Sequence, residues 1–415
     1  MPRGIADIPE LRLEVLQKFV TKFTVDPDLL LMNLFSSSNS PSDLIKWESH
    51  EGSRGMTPFV PPGAPAPRTA PLGIAEHSAR AAYWKEKIYY DEEFLNNLRK
   101  EGTESEYMDS AMRLARDMAM LRNRSNRRKE WMFAQMLFSG SFDYDVRDGY
   151  KATVDYSIRS DHNVSLAAAS QWDDGTSRDI LGDIIDGKKK IADDCGGRVD
   201  YAVMNSTVLK YVARDPDIQA LLQKTTFGRG DLFSGNRDSI VGVNPRVIGQ
   251  LLDIDNFVVY DEKYEVRAYL TSAVTADSTT SISVEDAADF VAGGTLKFVD
   301  TSEDTWEEET ISSVDVQGGT VTVSTAPSTS YKAGEDYVSM IRDFAPNDKF
   351  LMMASRVEGQ QIAEYKQAPF GKGRHYGQYT DSDWNWDPEG VFIRVQDKGL
   401  PVLYQRDGMY ILDVA

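Results

Sequence analysis

The amino-acid sequence predicts a mixed α+β fold into which a small all-β domain is inserted. Between Gly102 and Gly140 there is no glycine or proline, and this predicts one long helix. Strand and helix patterns alternate over residues 178–261, as they do in a compact α/β lobe. Over residues 277–337 the chain becomes rich in Thr, Ser, Val and Gly, with short strand-like runs between turns. We therefore expect an α/β body interrupted by a β domain at residues 276–338.

The first 90 residues are expected to form two extensions of this body. Residues 1–50 carry short apolar segments that must pack on a body or on another subunit. Between Glu51 and Arg80 lie six of the seventeen prolines, which exclude a helix and favour a stiff, extended arm. Residues 82–90 are aromatic-rich and are predicted to form a returning strand. Such a two-stranded arm needs a partner surface, and a disordered linker is the alternative.

The long helix is the central element of the prediction. At 1.5 Å per residue it would be roughly 50 Å long, which is too long for burial in one compact core. It must lie along its own elongated domain or along neighbouring copies in an assembly. Its middle carries a basic run that ends at Lys129. This run is either a solvated face or an interface with acidic neighbours.

We predict intersubunit contacts in the arm, in the strand that follows it and in the basic run of the helix. The residues are Pro58, Pro61, Pro62, Pro65, Pro67, Tyr83, Trp84, Lys85, Arg122, Arg124, Arg127 and Arg128. At the C-terminus, residues 390–395 and 409–414 are predicted as two strands that pair with each other across residues 399–408.

Composition narrows the class of protein. The 415 residues are 41% hydrophobic, and no apolar run reaches the roughly eighteen residues typical of a membrane span. The N-terminus has no uninterrupted apolar segment, so no secretion signal is expected. Cys195 is the single cysteine, which excludes an internal disulfide framework. A net charge of −19 argues against a surface that grips nucleic acid, although the protein can still enclose it.

The sequence offers no catalytic, cofactor-binding or metal-binding residues. Its four histidines, at positions 50, 77, 162 and 375, are far apart and lack ligand spacing. Nucleophile-elbow, phosphate-loop and dinucleotide-binding motifs are missing as well. We therefore expect a protein that is not an enzyme.

The order of segments resembles that of tailed-bacteriophage major capsid proteins with the HK97-like fold, most closely the lambda-type capsid protein E family. The similar segments are residues 22–27 (KFTVDP), the proline-rich arm with residues 82–87 (AYWKEK), and the C-terminal residues 387–389, 399–403 and 412–415. The resemblance covers nearly the whole chain except the insertion at residues 276–338.

This resemblance implies a domain arrangement. It comprises an N-terminal arm (1–50), an extended E-loop (51–90), a peripheral P-domain (91–177) with a spine helix (103–139), an axial A-domain (178–275 and 339–385), the inserted β domain (276–338) and C-terminal strands of the P-domain (386–415).

The resemblance also implies a function. The chain would assemble with itself as pentamers and hexamers into the icosahedral head that encloses double-stranded DNA without sequence-specific binding. Other implied partners are a separate scaffolding protein, a portal and an optional decoration protein, with no membrane and no cofactor. Assembly would take place in the cytoplasm of the bacterial host, and the product would be the virion. A cellular encapsulin-type shell and a secreted carbohydrate-active enzyme with a β module remain the alternatives.

Overall fold

The computed structural model describes residues 29–50, 56–63, 65–68, 74–91, 104–147, 150–173, 177–224, 244–302, 305–387 and 389–415. The chain divides into two compact units. Unit 1 comprises residues 1–260 and 345–415, and unit 2 comprises residues 261–344. Unit 2 is wider than the predicted insertion at 276–338.

Within the described residues, the helices lie in unit 1. They are α1 (Leu31–Leu34), α2 (Glu104–Ala134), α3 (Ile180–Cys195), α4 (Ser206–Arg214), α5 (Pro216–Lys224) and α6 (Pro245–Leu251). A π-helical turn, Gln135–Ser139, continues α2. It ends at Gly140, whose positive φ of 73° is a conformation that glycine adopts without strain.

The strands are numbered in chain order through both units. They are β1 (Ser37–Asn39), β2 (Leu44–His50), β3 (Ile74–Arg80), β4 (Ala82–Asp91), β5 (Ser141–Arg147), β6 (Tyr150–Asp155), β7 (Asn163–Ser165), β8 (Tyr201–Met204), β9 (Asn256–Val259), β10 (Lys263–Tyr269), β11 (Ser281–Ser283), β12 (Thr295–Asp300), β13 (Thr305–Asp315), β14 (Thr320–Val323), β15 (Tyr337–Asp343), β16 (Lys349–Met353), β17 (Arg356–Val357), β18 (Gln360–Gln361), β19 (Ala363–Gln367), β20 (Tyr379–Asn385), β21 (Gly390–Leu403) and β22 (Met409–Asp413).

The first sheet of unit 1 is built around β21. Strands β4, β19 and β20 pair antiparallel with it, and β1 joins through β19. Helix α2 packs on this sheet because Leu114, Met118 and Leu121 lie on one helical face, where they meet Val391 and Ile393 of β21. Each of these fully buried side chains contributes about 1.5–3 kcal/mol relative to exposure.

The second sheet of unit 1 has the order β7-β22-β16-β8-β9. Its central strand β16 contains the buried run Phe350–Met353, and α3 packs closely enough that a Cβ at Gly187 would meet Met352 and Tyr410. The chain terminus is held here, since the N–H of Val414 donates to the carbonyl of Asp348 at 2.7 Å.

The predicted pairing of the two C-terminal strands is wrong. Strand β21 is 14 residues long and lies in the first sheet, whereas β22 pairs with β16 and β7 in the second. A 3₁₀ turn, Arg406–Gly408, carries the chain from one sheet to the other. Strands β19 and β20, which lie within the predicted A-domain segment 339–385, belong to the β21 sheet.

Unit 2 is an antiparallel β structure with the strand order β10-β15-β12-β13-β14-β11. Its inward-facing residues form a core of their own, which includes Ile282, Phe298 and Val338. Strands β10 and β15 extend the unit beyond the predicted boundaries, because they pair along their full lengths from Lys263 opposite Asp343. The two ends of unit 2 therefore lie on adjacent strands.

Candidate intersubunit surfaces

The proline-rich arm projects from a hairpin. Strands β2 and β3 pair antiparallel up to His50 opposite Ile74. Inward-facing residues of β2, such as Ile45 and Trp47, are buried, so the base of the hairpin is anchored. Beyond it the described residues 56–63 and 65–68 are exposed, and they include all five prolines of the predicted contact set. Phe59 is fully exposed, so this part of the arm has no core of its own.

The predicted contact residues of β4 point to two different faces of the sheet, as strand alternation requires. Tyr83 and Lys85 are exposed, and the Tyr83 hydroxyl donates to Oε1 of Gln396 at 2.7 Å. Partial burial raises the pKa of Tyr83. Trp84 faces the helix instead, and its Nε1 donates to Oγ of Ser125 at 2.9 Å. Trp84 therefore stabilises the packing of α2 on the sheet.

The basic run of α2 also divides between surface and interior. Arg124, Arg127 and Arg128 are exposed, whereas Arg122 is half-buried and partial burial lowers its pKa. Arg124 forms an ion pair of 2.9 Å with Glu86 of the same chain. These three arginines thus lie at the surface of α2, which stays a predicted contact region.

Lys129 does not belong to that surface. Its Nζ lies 2.5 Å from Oδ2 of Asp397 in β21, and both side chains are buried. A buried ammonium group requires such a partner, because desolvation of an unpaired charge is very costly. Lys129, the last residue of the basic run, therefore lies in the interior and not on the surface.

Glu130, the next residue, was missed by the sequence reasoning. Its carboxylate is buried and accepts hydrogen bonds from the backbone N–H groups of Leu31 and Met32, each at 2.7 Å, and from the Tyr260 hydroxyl. Burial raises the pKa of Glu130 in spite of these donors. This side chain ties the start of α1 to the long helix. A lone Glu before an apolar run gives no sequence signal for partners so far away in the chain.

The described residues contain no cluster of three or more His, Cys, Asp or Glu side chains that could hold a metal ion. His162 is buried, with Nδ1 at 2.8 Å from the Met409 carbonyl and Nε2 at 2.8 Å from Asp194. These contacts link β7, α3 and β22.

In the described part of the chain, no helix combines the length and hydrophobicity needed to span a bilayer.

The family of this chain follows from its sequence. Residues 13–286 match the family model described as phage major capsid protein E. The chain belongs to this family. It is therefore a phage major capsid protein, and its place is the virion. The encapsulin-type shell and the carbohydrate-active enzyme are not favoured. No curated protein sequence matches the chain significantly.

One solved capsid-protein structure shows a related fold, and two further structures are similar over most of their length. The putative capsid protein of a prophage of E. coli CFT073 has a TM-score of 0.52 at 12% identity, over 98% of this chain and 99% of that one. A phage-related protein from Bordetella bronchiseptica RB50 has a TM-score of 0.47 at 12% identity, over 97% of both chains. The SrpI encapsulin of Synechococcus elongatus PCC 7942 has a TM-score of 0.39 at 9% identity, over 94% of this chain and 89% of that one.

Proposed function

We propose that this major capsid protein assembles as pentamers and hexamers into an icosahedral head that encloses double-stranded DNA. In this proposal the β2–β3 hairpin with residues 51–73 is the E-loop, α2 is the spine helix, and the β21 sheet belongs to the P-domain. The β16 sheet with α3 to α6 is the axial A-domain. The role is structural, without catalysis or a cofactor.

The observation that carries the proposal is the arm. A segment that exposes Phe59 and five prolines without a local core gains its stabilisation from another surface. In a closed assembly each copy supplies one arm to a neighbour, so the contact is repeated around every ring.

Unit 2 is proposed to face the outside of the head. Residues 261–344 contain seventeen acidic and five basic residues. Packaged DNA is a dense array of phosphate charges, and an acidic module beside it would be repelled. Further proposed partners are a separate scaffolding protein, a portal and a decoration protein, with assembly in the host cytoplasm.

Deletion of residues 61–71 tests the proposal. We expect a folded subunit that forms no shells, as judged by circular dichroism and negative-stain electron microscopy. A Gly/Ser segment of equal length in place of residues 61–71 is the matched control for arm length, and we expect it to fail as well, because a flexible chain loses more entropy on docking. Normal shells from the deletion would refute this role of the arm.

A further inference from the structure

A groove lined by aromatic rings, prolines and polar or charged side chains lies at the base of the hairpin. The rings of Tyr83 and Phe370 are 6.0 Å apart, and Pro41 and Pro369 complete the apolar lining. The cleft has a volume of about 520 Å³. Two further rings lie next to Phe370. The ring centroid of His375 is 6.3 Å from that of Phe370, and the His375 ring stacks on Tyr379 with centroids 3.7 Å apart.

The charged groups at the rim of this groove are already satisfied within the chain. Lys398 Nζ lies 2.8 Å from Oδ1 of Asp43, and Arg374 donates to the carbonyl of Pro41 at 2.9 Å. A neutral segment can therefore enter without breaking the ion pair between Lys398 and Asp43. A strongly charged ligand would have to break these contacts.

The arm offers a segment of matching chemistry. Residues 56–63 (MTPFVPPG) carry no charge and expose Phe59 beside Pro61 and Pro62. Proline-rich segments are already extended, so they lose little entropy on binding, and aromatic-lined grooves are a common receptor for them. An exposed Phe is in addition a typical anchor for the centre of an interface.

The chain's own arm does not fill its own groove. Asp43 precedes β2 and Tyr83 is the second residue of β4, so the groove lies where the hairpin starts. Seven paired residues in each strand place the far end of the hairpin about 20 Å from this base. Phe59 is correspondingly 103% exposed.

We propose that the groove formed by Tyr83, Phe370 and Lys398 receives the arm of a second copy of this chain, with Phe59 and the Pro61-Pro62 pair against the rings. The contact is heterologous, since each copy gives its arm to one neighbour and receives the arm of another, and such contacts form rings where the rotation between copies closes. This inference rests on the proposed assembly into shells and names its acceptor surface.

Disulfide trapping tests the contact directly. The only native cysteine, Cys195, is buried. Shells of the double variant Phe59→Cys/Tyr83→Cys should give disulfide-linked multimers on a denaturing gel after mild oxidation. The matched control is Phe59→Cys/Tyr89→Cys, because Tyr89 lies on the same strand with 37% exposure against 42% for Tyr83. The control should stay monomeric.

Three results on the denaturing gel would overturn the inference. They are a monomeric Tyr83 variant, an intrachain disulfide that only changes monomer mobility, and equal multimer yields from the two double variants.

A peptide experiment covers the case in which a double variant does not fold. A labelled synthetic peptide of residues 56–68 should bind unassembled parent protein in fluorescence anisotropy and slow shell formation. Replacement of Phe59 by Ala in the peptide should weaken binding about tenfold or more, as expected for an interface anchor. The protein variant Tyr83→Ala should weaken it similarly, and Tyr89→Ala should not. No binding of the parent peptide, or equal effects of the two tyrosine variants, overturns the inference.

These results separate the inference from the function on which it rests. If parent protein forms shells but trapping and peptide binding fail, only the acceptor groove is wrong. If parent protein forms no shells under any condition, the proposed assembly is wrong, and peptide binding still decides whether the groove takes the arm.

Discussion

Two ion pairs join α2 to the same sheet and differ mainly in burial. Lys129 and Asp397 are 2.5 Å apart with side-chain exposures of 11% and 0%. Arg124 and Glu86 are 2.9 Å apart with 40% exposure each. We predict that loss of one partner destabilises the protein strongly at the first pair and weakly at the second.

The expected magnitudes follow from solvation. Lys129→Met leaves the Asp397 carboxylate buried without its counter-charge. Asp397→Asn likewise leaves the Lys129 ammonium group buried without its counter-charge. Breaking a buried pair in this way costs about 3–5 kcal/mol. Replacement of both partners, as Lys129→Met/Asp397→Leu, should recover most of the loss, because no buried charge remains. Arg124→Met and Glu86→Gln should each cost less than about 1 kcal/mol.

Urea unfolding of the unassembled subunit, followed by circular dichroism, measures these losses. The double-mutant cycle at each pair gives the coupling free energy. The Arg124 pair should also weaken in 1 M NaCl, where charges are screened beyond roughly 3 Å, while the buried pair should not. If Lys129→Met unfolds at the same urea concentration as Arg124→Met, the assignment of Lys129 to the interior is refuted.

Three further predictions concern other parts of the chain. Glu130→Ala should cost about 3 kcal/mol or more in thermal unfolding, because two backbone N–H groups and the Tyr260 hydroxyl lose their acceptor. Since burial raises the pKa of Glu130, the folded state retains a proton there that the unfolded state releases. The free energy of unfolding should therefore fall as pH rises through the raised pKa. Glu130→Gln should lack that pH dependence, and an identical pH profile for parent and variant would contradict it. Excision of residues 261–344 with a Gly/Ser bridge should leave a folded unit 1, because the Cα atoms of Lys263 and Asp343 lie opposite each other on adjacent strands, about 5 Å apart. If the excised chain is unfolded by circular dichroism, the boundary is wrong. If the basic surface meets another subunit, the variants Arg124→Glu and Arg128→Glu should impair the assembly of empty shells in a salt-dependent way. Loss of DNA-filled particles alone would show that the surface contacts the packaged DNA. Particles like those of the parent would show that it is a solvated face.

The sequence alone determined the features that depend on neighbouring residues. A stretch without glycine or proline predicted a long helix, and the structure has α2 at Glu104–Ala134 with its π-helical continuation. Proline density predicted an arm without a core, and the described part of that arm is exposed. These properties follow from backbone preferences and periodicity, which act over a few residues.

Only the tertiary structure decided how distant segments meet. It placed β21 and β22 in different sheets, set the bounds of the second compact unit at residues 261–344, and paired Lys129 with Asp397 and Glu130 with the start of α1. Strand pairing depends on which backbone edges come together, and a charged helix residue is buried only where its partner arrives from elsewhere in the chain. Lys129 belongs to the same basic run as the exposed Arg127, and the carboxylate of Asp397 allows its burial, because burial of an ammonium group is tolerated only where a counter-charge offsets its desolvation.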